Sequence, residues 1–223
     1  MKKAAWCLGV TLFALAGAAE ATIVTLSPSA ESYVARSYDG TVSYGPFAPQ
    51  PFGTSVGLID HPQFGNPQWA AEGRSLFEFG LGAINPSFIT SAMLRFTAVD
   101  PTAYGAGSCF DLSGCPALSL LNLFGFSGDG LSNVSDFDLG DFLTSVDPRP
   151  AGTALAIDVT TFLTTVTTGY AGFNIRAGSV NGGMGLLNVS LAIDYAPKVP
   201  EPGTHALLGL GLMGLGLTRR KAA

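Results

Sequence analysis

The sequence predicts an all-β fold: an antiparallel, jelly-roll-like β-sandwich with one short helix, set between an N-terminal and a C-terminal hydrophobic helix. Three observations predict it. Apolar and polar residues alternate with a period of two in one run after another, the pattern of strands with one face buried. Glycine, proline, asparagine and serine punctuate those runs, and the 223 residues include 29 glycines and 14 prolines. Only one stretch between the two ends has helical spacing.

At the N-terminus, Lys2 and Lys3 precede an apolar run over 4–18, which small residues close at Ala19-Glu20-Ala21. A basic start, a short apolar segment and an A-x-A site make a secretory signal peptide over 1–21, cut by signal peptidase after Ala21 so that the mature chain starts at Thr22. Crossing a bilayer takes about 20 apolar residues, and this run stops short of that before Glu20. Cys7 stands at the start of the run, not behind it, which is the wrong place for a lipid-modified N-terminus.

Residues 22–197 are the part that must fold, and 176 residues suffice for one domain with its own core. Strands are predicted near 23–26, 32–36 and 55–60. Phe77 and Phe79 flank Glu78, and Leu94, Phe96 and Ala98 interleave with Arg95 and Thr97. Leu118, Leu120, Asn122, Phe124 and Phe126 alternate in the same way, as do Leu155, Ile157 and Val159 against Ala154, Ala156 and Asp158. A strand over 171–176 precedes a last one, in which Leu187, Val189, Leu191, Ile193 and Tyr195 form one apolar face against Asn188, Ser190, Ala192 and Asp194. The helix follows Asp158. Phe162, Leu163 and Val166 sit at i, i+1 and i+4, Thr160 or Thr161 can cap, and Gly169 closes it after one or two turns. Residues 39–70 hold five prolines and read as a long loop excursion around one strand.

Between 22 and 197 five arginines face fourteen acids, a net charge of −9. Such a surface repels phosphate backbones, which argues against nucleic acid as a partner and suits an exported, soluble protein. Cys109 and Cys115, close in sequence in an exported chain, predict a disulfide that staples a loop. Asp129, Asp136, Asp138 and Asp141 crowd one segment with Asn133. Calcium takes such oxygen ligands, although the spacing is not that of an EF-hand and a solvated acidic loop is the competing reading. No other cofactor is expected. Trp69, Phe64, Tyr104 and Tyr44 fall in loop-like stretches, where flat rings either stack on the apolar face of a sugar or cover the open ends of the sandwich.

Two motif matches carry no catalysis. Gly53-Thr54-Ser55-Val56-Gly57 fits G-x-S-x-G, but Pro62 and Gly65 interrupt the helix that a nucleophile elbow requires, and His61 is too local for a triad. Gly209-Leu-Gly211-Leu-Met-Gly214 fits the dinucleotide fingerprint without a preceding strand or a following βαβ unit. Glu72 and Glu78 make no glycosidase pair, because Glu78 alternates within an apolar strand. No catalytic residue, and no enzyme, is expected.

Behind Pro197-Lys198 come Val199-Pro200-Glu201-Pro202-Gly203, then Thr204-His205, an apolar stretch over 206–217 and the basic end Arg219-Arg220-Lys221. Residues 198–223 resemble the PEP-CTERM sorting signal of Gram-negative bacteria, with the motif at 199–203, the hydrophobic helix at 204–217 and the basic end at 219–221. Twelve apolar residues are marginal for a stable span, and the basic end stays cytoplasmic by the positive-inside rule. The resemblance implies a transient inner-membrane intermediate, cleavage by exosortase at or near Pro200, Glu201 and Pro202, and loss of the helix.

The middle of the chain resembles the β-sandwich domains called DNRLRE or carbohydrate-binding-module-96-like. The carrying residues are Arg74-Ser-Leu-Phe77-Glu78-Phe79, Ile89-Thr-Ser-Ala92-Met-Leu94-Arg95-Phe96, Asp158-Val159-Thr160 and Gly172-Phe173-Asn174-Ile175-Arg176. The Cys109 to Cys115 and 129–141 segments depart from that pattern. The expectation is a non-enzymatic cell-surface or extracellular-matrix protein with a structural or interaction role beside exopolysaccharide in a biofilm. The alternative is a carbohydrate-binding module that recognises a matrix glycan.

Overall fold

Phe77, Phe79, Leu94, Phe96, Phe173 and Ile193 are almost fully buried, and each sits at every second position of an extended segment, so that one face of each strand is withdrawn from water. The computed structural model describes residues 21–36, 40–44, 54–60, 70–99, 117–179 and 182–196, all within the compact unit Ala21–Ala196. The strands are β1 (Thr22–Leu26), β2 (Ala30–Arg36), β3 (Val42–Tyr44), β4 (Thr54–Asp60), β5 (Ala70–Gly80) and β6 (Ile89–Val99). They continue as β7 (Leu121–Ser127), β8 (Asp141–Val146), β9 (Ala154–Asp158), β10 (Tyr170–Ala177) and β11 (Gly182–Tyr195), with one short helix, α1 (Thr160–Leu163), after β9. Among the described residues no helix is long and apolar enough to cross a membrane.

The strands form two antiparallel sheets packed as a sandwich. One runs β8-β7-β10-β5-β2-β3, and the other β9-β6-β11-β1. β4 pairs with both β5 and β11, so the sheets are continuous through one shared strand. Between them lies the main core, where Phe173 meets Phe79 and Phe162 edge-on at 5.8 and 5.3 Å between ring centroids. Each large side chain withdrawn this completely contributes on the order of 2 kcal/mol.

Several expectations are corrected. In β7 the core residues are Leu121 and Leu123, and the alternation through Asn122, Phe124 and Phe126 belongs to the opposite face. β11 begins at Gly182, and its apolar face does not run straight through from Leu187 to Tyr195. Leu187 opposes Thr97 but Ser190 opposes Arg95, so one residue is extra, and Asn188 takes φ 53°. That bulge switches parity: Met184 and Leu186 are buried before it, Leu191 and Ile193 after it. At α1 neither Thr160 nor Thr161 caps. Asp158 Oδ1 accepts from the Thr160 amide at 2.9 Å and from its hydroxyl at 2.6 Å. Thr160 Oγ1 in turn accepts from the Ala92 amide at 2.9 Å, which ties the helix to β6. β3 and β8 were not expected.

Ser55 of the G-x-S-x-G match lies within β4, paired with Gly185 of β11, and its carbonyl accepts from the Ser75 hydroxyl at 2.8 Å. The segment is a strand, not an elbow.

Candidate functional site

Because Phe77 and Phe79 point into the core, Glu72, Arg74, Leu76 and Glu78 of β5 occupy the outer face of the six-stranded sheet. Asn174 and Arg176 of β10 share that face. Yet Arg74, Glu78 and Asn174 are buried, because the β7–β8 connection folds back over them as a strap. Phe137 in its short 3-10 turn (Val134–Asp138) drops onto Val34 and Leu76 to make a second, smaller core.

The strap is held by its own backbone carbonyls. Asn174 Nδ2 donates to the carbonyls of Asp136, Phe137 and Leu139 at 3.2, 2.8 and 3.2 Å. Arg74 Nη1 donates to the Phe137 carbonyl as well, and its guanidinium lies 3.7 Å from the Phe137 ring centroid. The other edge of that guanidinium forks onto the Glu72 carboxylate at 2.6 and 2.8 Å. Arg36 donates through Nη2 to both carboxylate oxygens of Asp138 at 2.7 and 2.8 Å and also lies over Phe137, at 4.5 Å. Arg176 donates through Nη2 to the Leu139 carbonyl at 2.8 Å and stacks 3.8 Å over Phe124. Its burial and the nearby Arg74 lower its pKa to about 10.

At the start of the strap, Glu78 Oε2 accepts from the Gly130 amide at 2.6 Å, while Oε1 has no hydrogen-bond partner among the described residues. A side chain at Gly128 would collide with this carboxylate, and Gly130 takes φ 90° against the Tyr170 ring, so glycine is needed at both. Burial, then the neighbouring Asp136 and Asp129, push the Glu78 pKa up. Asp136 is raised by burial as well, although its Oδ2 accepts from the Asn133 amide at 2.9 Å in a capping box. Two further buried polar atoms on this face, Asn174 Oδ1 and Arg176 Nε, also lack a partner among the described residues.

The four acids of the sequence-predicted cation site are thus divided among separate tasks. Asp129 accepts from the Leu131 amide at 2.9 Å, Asp136 caps the turn, Asp138 pairs with Arg36 and Arg74, and Asp141 opens β8 exposed to solvent. Among the described residues no group of three or more His, Cys, Asp or Glu is drawn together as a metal centre. Ala21 is exposed immediately before β1. Trp69, Phe64, Tyr104, Cys109, Cys115, His61 and Val199 to Pro202 lie outside the described residues, and Tyr44 ends β3 opposite Val34. Among the described residues, the strapped face presents Leu131, Val134 and Leu139 of the strap to solvent together with Phe142, 57% exposed and edge-on to Phe124 at 5.6 Å; the Ser145 hydroxyl of the same strand is bonded to Asn122 at 2.6 Å. The reading of the sequence missed Glu78, Asn174, Arg176 and Phe142. Its usable signal was a charged or amide residue inside an otherwise apolar strand, since such groups are rarely buried without a partner element.

Residues 198–221 match the PEP-CTERM protein-sorting motif. The match supports an exported substrate of exosortase that reaches the cell surface through a membrane-held intermediate. No curated protein matches the chain. Among solved structures, the domain is similar to a xylan-binding module CBM15 at 14% identity and a TM-score of 0.42, covering 81% of this chain and 100% of that one. A likeness that remote carries no ligand across.

Proposed function

We propose that this protein is exported, processed at both ends, and placed at the cell surface or in the extracellular matrix as a non-enzymatic structural or interaction module. The observation that carries the reading is the sorting motif over 198–221, directly behind a folded unit that ends at Ala196. Signal peptidase would act after Ala21 and exosortase at Pro200, Glu201 and Pro202. Intact-mass measurement of the exported protein is expected to give a chain that starts at Thr22 and ends near Pro200 to Pro202. A mature form that still contains Arg219 would defeat the assignment.

A second reading is that the module holds an exopolysaccharide. It is favoured by the exposed Phe142 ring beside Asn122 and Ser145, because aromatic faces stack on sugars while hydroxyl and amide groups orient them. Trp69, Phe64 and Tyr104 are further candidates. In an affinity gel loaded with the producer's exopolysaccharide, retardation that is lost on Phe142→Ala or Trp69→Ala supports this reading. Unaltered mobility of the unmodified protein favours the scaffold role. A Cys109–Cys115 bridge belongs to the same proposal, as a loop-stabilising device of a secreted domain.

A further inference from the structure

The strap over the outer face is held unevenly. Its second limb, 134–140, is pinned by the buried Phe137 ring, by three carbonyls on Asn174 and by Arg36, Arg74 and Arg176. Its first limb, 128–133, buries no large apolar side chain, since Leu131 is 64% exposed. That limb is held by the Gly128 amide on the Tyr170 carbonyl at 3.0 Å, by a 2.6 Å bond between the Ser132 and Ser32 hydroxyls, and by the Gly130 amide on Glu78. Glu78 lies fully buried beneath it, with Gly128 packed against its carboxyl group and Oε1 unbonded among the described residues. Its neighbours across β10 and β2, Gly172 and Ala30, bring no charge. The strap brings two acids, Asp129 and Asp136, and the Tyr170 phenol ring packs on Gly130. The cation of the same strand, Arg74, is already shared among Glu72, Asp138 and the Phe137 carbonyl. A carboxylate at Glu78 would therefore stand dehydrated between like charges with no counter-ion, whereas the neutral acid fits.

We propose that Glu78 is a proton-operated latch: as the neutral acid it holds 128–133 closed over β5, and loss of its proton frees that limb while 134–140 stay docked. Opening returns the carboxylate to water and lets Asp129 move away from it. It also lays bare Glu78 and Ser32, so this part of the module's outer face is covered in acid and uncovered as pH rises. Burial, then Asp136 and Asp129, raise the pKa of Glu78 in the closed form. The proton is thus bound more tightly closed than open, and each pH unit between the two pKa values multiplies the open population by up to about ten. A limb with few buried contacts is also where a local opening is least costly.

The test is native-state hydrogen exchange of the exported protein, read at single amides by NMR over a pH series and corrected for intrinsic exchange. Protection at Gly130 and Leu131 is expected to fall by up to about tenfold per pH unit above the open-state pKa of Glu78, levelling off above the closed-state one. Leu139, whose amide donates to the Asp136 carbonyl at 3.1 Å, should keep its protection throughout. Glu78→Gln should hold the limb closed with protection independent of pH. Asp129→Asn keeps the acceptor for the Leu131 amide and removes one repelling charge, so its fall should be smaller and complete at lower pH. A parent protein with flat protection at Gly130 overturns the proposal, as does a Glu78→Gln profile parallel to the parent. Gly130 and Leu139 losing protection together would show that the strap opens as one piece, which overturns it too. Should Glu78→Gln fail to fold, Asp129→Asn decides alone, and an unchanged fall in that variant rules the latch out.

Discussion

Arg74 is the residue on which the outer face depends. It neutralises Glu72, holds the Phe137 carbonyl and backs the Phe137 ring, all with a side chain nearly excluded from solvent. Removing one partner of a buried pair costs about 3–5 kcal/mol, because the other charge stays behind. Arg74→Met is therefore expected to lower stability in urea unfolding by that order, while Arg149→Met, whose ion pair with Asp147 is exposed, leaves the midpoint unchanged. Glu78 gives a pH prediction of definite sign. Its folded pKa is raised above its unfolded value, so the stability it contributes is complete below the unfolded pKa and is lost as pH rises through the folded one. Melting temperature should climb as pH falls through the raised folded pKa of Glu78 towards its unfolded value, and Glu78→Gln should flatten that climb. Asp158 works in the opposite sense. The Thr160 hydroxyl and amide hold its pKa down, so its contribution is present above its unfolded pKa and fades as pH falls through its folded one, which limits the gain in acid. A Glu78→Gln profile parallel to the parent would remove Glu78 as the cause. The sequence marks Arg74 and Glu78 only as polar positions between apolar ones. It gives no sign that a loop more than fifty residues later returns to cover them.

At the scale of elements, the strands that alternate strongly are legible and those that bend or lie under cover are not. β5, β6, β9 and β10 follow the alternation of Phe77, Phe79, Leu94, Phe96, Ile157 and Phe173. β7 misleads because Phe124 and Phe126 are as apolar as Leu121 and Leu123, one pair facing the core and the other facing the Arg176 side of the strap. β11 misleads because a bulge shifts register without leaving a gap in hydrophobicity. Its key is Asn188, one of the few residue types that accept a positive φ at little cost. Asn188→Val should destabilise by about 1–2 kcal/mol, since a β-branched residue is strained there, whereas Asn188→Gly should fold with near-parental stability in thermal melts. Similar losses for both would mean that the Asn188 side chain, not its backbone, is what matters. β8 was missed because Asp141, Phe142, Leu143 and Thr144 do not alternate cleanly, and its first pairs carry a register shift against β7.

For the molecule as a whole, the class of the fold was readable and its closure was not. Nothing local in Thr54 to Asp60 announces that this strand joins both sheets. The candidate site was legible in its addresses and not in its chemistry: the sorting tail stands in linear sequence, whereas the strapped face exists only after four strands converge. The core lies between sheets rich in Phe, Leu and Ile, and the Cys109 to Cys115 segment connects β6 to the region before β7. A bridge there closes a short loop and contributes about 2–3 kcal/mol at most. Reduction is therefore expected to lower the melting temperature by a few degrees with no loss of cooperativity, and the unreduced mature protein should contain no titratable thiol. Complete unfolding on reduction would place the bridge between elements that the core depends on.

β11 has a mechanical meaning as well. It is the longest strand among the described residues, 14 residues, and it is clasped along its length by β6 on one side and by β4 and β1 on the other. Tension applied at its C-terminal end and resisted at the far end of the sandwich would run parallel to the strand, so the hydrogen bonds of two ladders would share the load and yield together. Tension between Thr22 and Tyr195 would instead peel β1 away one pair at a time. The same fold would resist drag through one attachment and unzip through the other, and the attachment that resists is the one at the C-terminal end.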